Sequence, residues 1–200
     1  DIDPDIVLEF AMLMQDDGSF GGDITSKNGI HPDNIERFID EIMVRPLLKR
    51  TGLYPKDIVE IIHFVDMDGA YIDDNLVVTD GGNEDKPVDY PDIIVTANPD
   101  HVKERNLCKS ANLDVITSSI KIGSKKIKYS VYYFSSNLDH FLYRDANSDE
   151  HGKVRRAAEF SMKHETSGSL ERFFEENETV TTDMTYGESW DFIKSGENSL

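Results

Sequence analysis

The feature that most constrains this chain is the run Ile61-Ile62-His63-Phe64-Val65, which ends abruptly in Asp66-Met67-Asp68-Gly69. A largely apolar stretch of this length suits one buried strand and is far too short to span a membrane. Carboxylates at the C-terminal end of a parallel strand stand where α/β folds put their ligands. Strand side chains alternate, so Asp66 and Asp68 point the same way, about 6–7 Å apart along the chain, while Met67 points into packing. Two like charges so close are unfavourable unless a cation or donors offset them. A divalent metal is therefore favoured over the other reading, a solvated Asp-x-Asp-Gly turn.

Charge narrows the partners. With 21 basic against 39 acidic residues the net charge is −18, which repels polyanions except where metal ions or local basic patches reverse the potential. That charge disfavours a nonspecific nucleic-acid coat. The single cysteine, Cys108, rules out an intramolecular disulfide and points to a reducing cytosol, and no run marks a membrane span or a signal peptide. The expectation is a soluble cytoplasmic protein with no membrane partner, its oligomeric state left open. At 200 residues the chain suits one α/β domain, with a core over residues 30–145 and a helical C-terminal part over 146–200.

Local pattern places the remaining elements. Asp3-Pro4-Asp5 reads as the N-cap of a buried helix over residues 6–14, and residues 16–29 form a Gly-, Ser- and Asp-rich loop without P-loop spacing. Pro32-Asp33 opens an amphipathic helix with Ile35, Phe38, Ile39 and Ile42 on one face, and Gly52-Leu53-Tyr54-Pro55 breaks it. Residues 73–92 read as an acidic surface excursion, residues 93–96 as a short strand, and Asn98-Pro99-Asp100 as the start of a helix reaching Val115. Alternation around Gly123-Ser124 predicts a β-hairpin carrying the one basic cluster, Lys121, Lys125, Lys126 and Lys128. Such lysines protect edge strands, yet on so acidic a chain they are also where an anion would land. A second apolar strand, Val131-Tyr132-Tyr133-Phe134, ends in Ser135-Ser136-Asn137-Leu138-Asp139-His140. Asn137, Asp139 and His140 offer metal ligands or an acid/base pair, while Ser135 or Ser136 reads equally well as the cap of a helix starting there. Further helices are expected around residues 154–162, 170–175 and 190–194, and no His-x-x-x-His pair marks a zinc-hydrolase helix.

A strand ending Asp66-Met67-Asp68, followed much later by one ending Ser136-Asn137-Leu138-Asp139 and a helix, resembles the TOPRIM-like domains of the RloB and overcoming-lysogenization-defect nuclease families. The resemblance spans residues 58–142. It implies a mostly parallel central sheet with helices on both faces, in which the strands ending at Asp66 and Phe134 are central neighbours. It further implies magnesium or manganese held by Asp66, Asp68 and Asp139, with His140 beside them, for phosphodiester chemistry on nucleic acid contacted by the four lysines. A partner ATPase and a part in phage defence come with the same resemblance. Asp139 stands where the RloB pattern usually has glutamate, and no Glu-Gly strand precedes the first helix, so either such a strand lies upstream of Asp1 or the site is incomplete, Glu9 being a poor stand-in if it sits in a helix. Val65-Asp66-Met67-Asp68-Gly69 is also similar to the first motif of haloacid-dehalogenase-like phosphatases, with Asp66 as nucleophile and Asp68 as general acid/base, and Ile93-Ile94-Val95-Thr96 to their second. Ala70 and the missing Gly-Asp-x-x-x-Asp motif depart from that pattern. A noncatalytic, partner-binding or regulatory protein with a degenerate site is the third expectation.

Overall fold

Ile35, Phe38, Ile39 and Ile42 recur at helical spacing, and the segment is helical in three successive registers: α1 (Ile35–Phe38), a π-helical stretch (Ile39–Val44) and α2 (Arg45–Thr51). Pro46 has no N–H to give the carbonyl four residues back, and the wider π register sits directly before it. Ile35, Ile39, Val44 and Leu48 are buried. Asp40 is buried too, because the π turn aligns it with Arg45, whose guanidinium reaches its carboxylate at 2.7 Å. Gly52 ends α2 at φ 75°, its N–H bonding the Leu48 carbonyl at 2.9 Å, a left-handed position that favours glycine.

The computed structural model describes residues 6–7, 9, 11, 22–79, 87–116, 118–145, 147, 150–177 and 183–200. Of the first expected helix, Ile6, Val7, Glu9 and Ala11 are not helical and are exposed; Asp3-Pro4-Asp5 and the rest lie outside the described residues. An apolar run with no 3.6-residue period carries little helix-specific information. The chain divides into two compact units, Asp1–Val65 with Glu104–Tyr133, and Asp66–Lys103 with Phe134–Leu200.

The first unit is built on β1 (Glu60–Asp66), β5 (Ser119–Ile122) and β6 (Lys125–Phe134), in the order β1-β6-β5. The expected hairpin is present: Ile122 pairs with Lys125 across a turn holding Gly123 at φ 60°, and β5 runs antiparallel to β6. β1 runs parallel to β6, since contacts advance together, from Glu60 with Ser130 to Phe64 with Tyr132. The strands ending at Asp66 and Phe134 are thus neighbours. The sheet, however, is small and mixed rather than mostly parallel, because the hairpin returns an antiparallel strand to β6. Nor, among the described residues, do helices cover both faces: Val65, Ile120, Ile122, Ile127, Tyr129 and Val131 are buried, whereas Ile62, Phe64 and Tyr132 are 50%, 65% and 47% exposed.

Helix α3 (Pro99–Val115) starts where Asn98 predicts, its side chain accepting from the His101 N–H at 3.3 Å. Lower on α3, Asn112 donates to the carbonyls of Thr25 and Ile30, and buried Lys109 meets Asp23 at 2.8 Å. These bonds fasten the described loop after Gly22 in place.

In the second unit, β2 (Val77–Val78), β3 (Val88–Asp89) and β4 (Ile94–Val95) form a second three-stranded sheet in the order β2-β4-β3, with β2 parallel and β3 antiparallel to β4. The acidic excursion is therefore partly a sheet: Val77, Ile94 and Val102 make a small core against which Ile72 and Leu200 pack. Helices α4 (Leu138–Tyr143), α5 (Glu150–Lys163), α6 (Ser167–Glu176) and α7 (Tyr186–Ile193) follow. Aromatic packing joins three of them to the end of β6: Phe141 lies 5.3 Å from Phe134, and Phe173 lies 6.0 Å from Phe141 and 5.1 Å from Phe160. Among the described residues no helix is long and apolar enough to cross a membrane.

Candidate functional site

The adjoining carboxyl ends of β1 and β6 bring together the two motifs that the sequence singles out. Past the strand proper the pairing continues, the Met67 N–H bonding the Phe134 carbonyl at 2.9 Å and the Asp68 N–H the Ser136 carbonyl at 3.1 Å. Asp66, half-buried, accepts the Leu138 N–H at 3.1 Å, so a carboxylate at the end of β1 takes up an N–H that the first turn of α4 leaves without an intrahelical partner. Met67 is fully buried, as the alternation requires.

The turn that follows is unusual. Asp68 sits at φ 49° and Gly69 at φ 78°. Left-handed backbone is natural for glycine and is tolerated by aspartate at a modest free-energy cost, and here tertiary bonds hold it. The Gly69 N–H reaches the Ser199 carbonyl at 2.7 Å and the Tyr71 N–H reaches Ser199 Oγ at 3.1 Å. Buried Ser199 is a brace that no local pattern announces.

On the other side Asn137 caps α4, its Oδ1 accepting from the His140 N–H at 2.9 Å. Asn137, not Ser135 or Ser136, is the cap: Ser136 is buried with its carbonyl spent on Asp68, and the extended backbone at Asn137 is what an N-cap needs. Asp139 in the first turn bonds Lys153 of α5 at 3.2 Å. His140 is half-buried beside it. Asp66, Asp68, Asp139 and His140 therefore share one end of the β1–β6 pair, but Asp139 is turned to a lysine. Among the described residues no group of three histidine, cysteine, aspartate or glutamate side chains is arranged to hold a metal ion.

The four lysines separate. Lys125 Nζ donates to the carbonyls of Lys56 and Ile58, each at 2.9 Å, bracing the hairpin against the entry to β1. Lys121, Lys126 and Lys128 are exposed, Lys128 meeting Glu60 at 2.9 Å. The stretch resembling a second phosphatase motif belongs to the β2-β4-β3 sheet, where Thr96 Oγ1 accepts the Asn98 N–H at 3.2 Å ahead of α3.

A polar group that the sequence reading missed lies in the first unit. Asp23 accepts from Thr25 N at 2.8 Å and Thr25 Oγ1 at 2.7 Å and pairs with Lys109, which is 1% exposed. Burial pushes the Asp23 carboxyl up, but the Lys109 charge and hydrogen bond and the Thr25 donors outweigh it and hold it below its ordinary 3.8. His63, with Nδ1 2.8 Å from the Tyr129 hydroxyl, is held below its ordinary 6.5 by burial, with Lys109 acting the same way and Asp23 opposing. Its only sequence signal is polarity inside an apolar run. Each member bonds another or the loop, so the group reads as a fastening between that loop, α3 and the sheet.

Comparison of the chain with protein-family models, with curated proteins and with solved structures finds no match.

Proposed function

We propose that this chain is a magnesium-dependent phosphoryl-transfer protein, TOPRIM-like in kind, that acts on a phosphodiester at the adjoining carboxyl ends of β1 and β6. The observation that carries the reading is the pairing of Asp66 with Leu138 and of Asp68 with Ser136, which sets the Asp-x-Asp turn against the Ser-Asn-x-Asp turn. Two carboxylates suffice chemically. Magnesium keeps several waters and is commonly held by one or two carboxylates together with substrate phosphates, rather than by an all-protein cage. Asp66 and Asp68 fit that donor set, and the ion when bound would stabilise charge on the phosphoryl oxygens.

The chain's own residues supply position. The Leu138 N–H orients Asp66, the left-handed backbone sets the direction of Asp68, and the aromatic packing on Phe141 anchors α4 beside them. His140, in the first turn of α4, is the proton carrier in this reading, and Lys153 fixes Asp139 in the same turn. A local cation also answers the charge conflict, because a chain at −18 approaches a phosphodiester only where the potential is reversed.

The test couples binding to chemistry. A few millimolar magnesium or manganese is expected to raise the melting temperature of the wild type, and Asp66→Asn is expected to abolish both that rise and metal-dependent nicking of a plasmid. Melting curves identical with and without metal, together with an intact plasmid, would sink the proposal.

A further inference from the structure

We propose that the exposed face of the β1-β6-β5 sheet binds single-stranded nucleic acid, Phe64 and Tyr132 stacking on bases while Lys121, Lys126 and Lys128 hold phosphates. Strand alternation sets Glu60, Ile62 and Phe64 on one face of β1, and Lys126, Lys128, Ser130 and Tyr132 on one face of β6. They are the same face of the sheet, because Lys128 and Ser130 both reach the Glu60 carboxylate. Lys121 joins them, directly opposite Lys126 in the hairpin register.

Two features of this face point to a ligand. The Phe64 and Tyr132 rings lie 6.0 Å apart and tilted by 33°, with 65% and 47% of each residue exposed, which makes a platform rather than a core. The second feature is the lysines. Edge protection explains lysine on an outer strand such as β5, which carries Lys121, but Lys126 and Lys128 lie on β6, the middle strand. Among the described residues no carboxylate lies within ion-pair distance of Lys121 or Lys126, on a chain of net charge −18. Local positive charge beside exposed aromatic rings is the combination by which sheets bind single strands, since unstacked bases offer their faces to the rings and the backbone tracks the lysines. A duplex keeps its bases stacked, and its charge extends past so small a patch into the acidic remainder of the surface. The inference names the substrate class for the proposed phosphoryl transfer and rests on that reading for the reaction, whereas the binding itself needs no metal.

Fluorescence anisotropy in EDTA tests it, using the whole chain and a labelled oligothymidylate of about 15 nucleotides in about 50 mM salt. The single strand is expected to bind more tightly than a duplex of equal length. Phe64→Ala and Tyr132→Ala are each expected to weaken binding about tenfold, and Lys126→Gln to reduce the slope of log Kd against log salt by about 0.7. Circular dichroism checks that each variant is folded before its affinity is read. Wild-type affinity in the ring variants, or no binding at all, would overturn the proposal. So would a wild-type dimer in sedimentation that Phe64→Ala dissociates, because a second copy would then occupy the face. Oligonucleotide binding without any magnesium-induced stabilisation would sink the metal reading and uphold this one, and the converse result would overturn this one alone.

Discussion

Replacing Asp23 by alanine removes a carboxylate on which a buried ammonium is seated. Lys109 is 1% exposed and its Nζ lies 2.8 Å from Asp23, so the substitution takes a counter-charge away from a cation in a site that water hardly reaches. Breaking a buried pair from one side is destabilising by about 3–5 kcal/mol, which far exceeds the ~1 kcal/mol of an ordinary hydrogen bond lost from Thr25. For a chain of this size that corresponds to a fall in melting temperature of roughly 6–20 °C. Removing both charges in Asp23→Ala/Lys109→Met is expected to recover much of the loss, because a methionine fills the volume and carries no charge to desolvate. Urea unfolding of the wild type, both single variants and the double gives the interaction free energy directly. The pH dependence adds a signature. The folded-state pKa of Asp23 is below the ordinary 3.8, so its contribution is fully present above about pH 4 and is lost as the pH falls through the lower folded value. The wild-type and Asp23→Ala curves should run parallel from pH 7 to 5 and converge below pH 4. A single-variant loss under ~1 kcal/mol, or strict additivity in the double, would refute the reasoning.

His63 titrates in the same sense, at a higher pH. Its folded pKa lies below the ordinary 6.5, so the unfolded chain takes up the proton first and stability falls as the pH drops from about 6.5 towards the folded value. His63→Gln should flatten the plot of urea midpoint against pH between 6.5 and 5. Asp68→Gly replaces a side chain at φ 49° with the residue that prefers it; the melting temperature should hold or rise by the equivalent of up to ~1 kcal/mol, while metal-dependent nicking is lost. Asn137→Ala removes the cap of α4 and should lower stability by about 1 kcal/mol by urea unfolding, with a larger proportional fall in nicking because the turn carrying Leu138 shifts against Asp66.

Much of the fold was legible because its signals are local. The period of Ile35, Phe38 and Ile39 announced the helix, Asn98-Pro99 the start of α3, and Gly123-Ser124 the hairpin, since a cap, a turn or an amphipathic face is decided by residues a few positions apart. The candidate site was legible for a related reason: charged residues that interrupt apolar strands have few structural explanations. Its internal wiring was not. Asn137 rather than Ser135 or Ser136 caps α4, Lys153 takes Asp139, and Ser199 braces the Asp-x-Asp turn, each choice resting on a partner distant in sequence or on one backbone angle.

The sequence by itself determined the β1 strand, the β5–β6 hairpin, the starts of α1 and α3, and which strand ends carry carboxylates. The tertiary structure alone decided that the β1 sheet has three strands of mixed direction, that it leaves Phe64 and Tyr132 exposed, and that Val77 and Ile94 meet in a second sheet. The same holds for Lys109, a residue type that almost always stays in water, which is buried because Asp23 comes to meet it. The physical reason is one throughout. Side-chain pattern reports how much burial each segment needs, whereas strand direction, open faces and buried ion pairs depend on which other segment meets that need, and many pairings satisfy the same pattern.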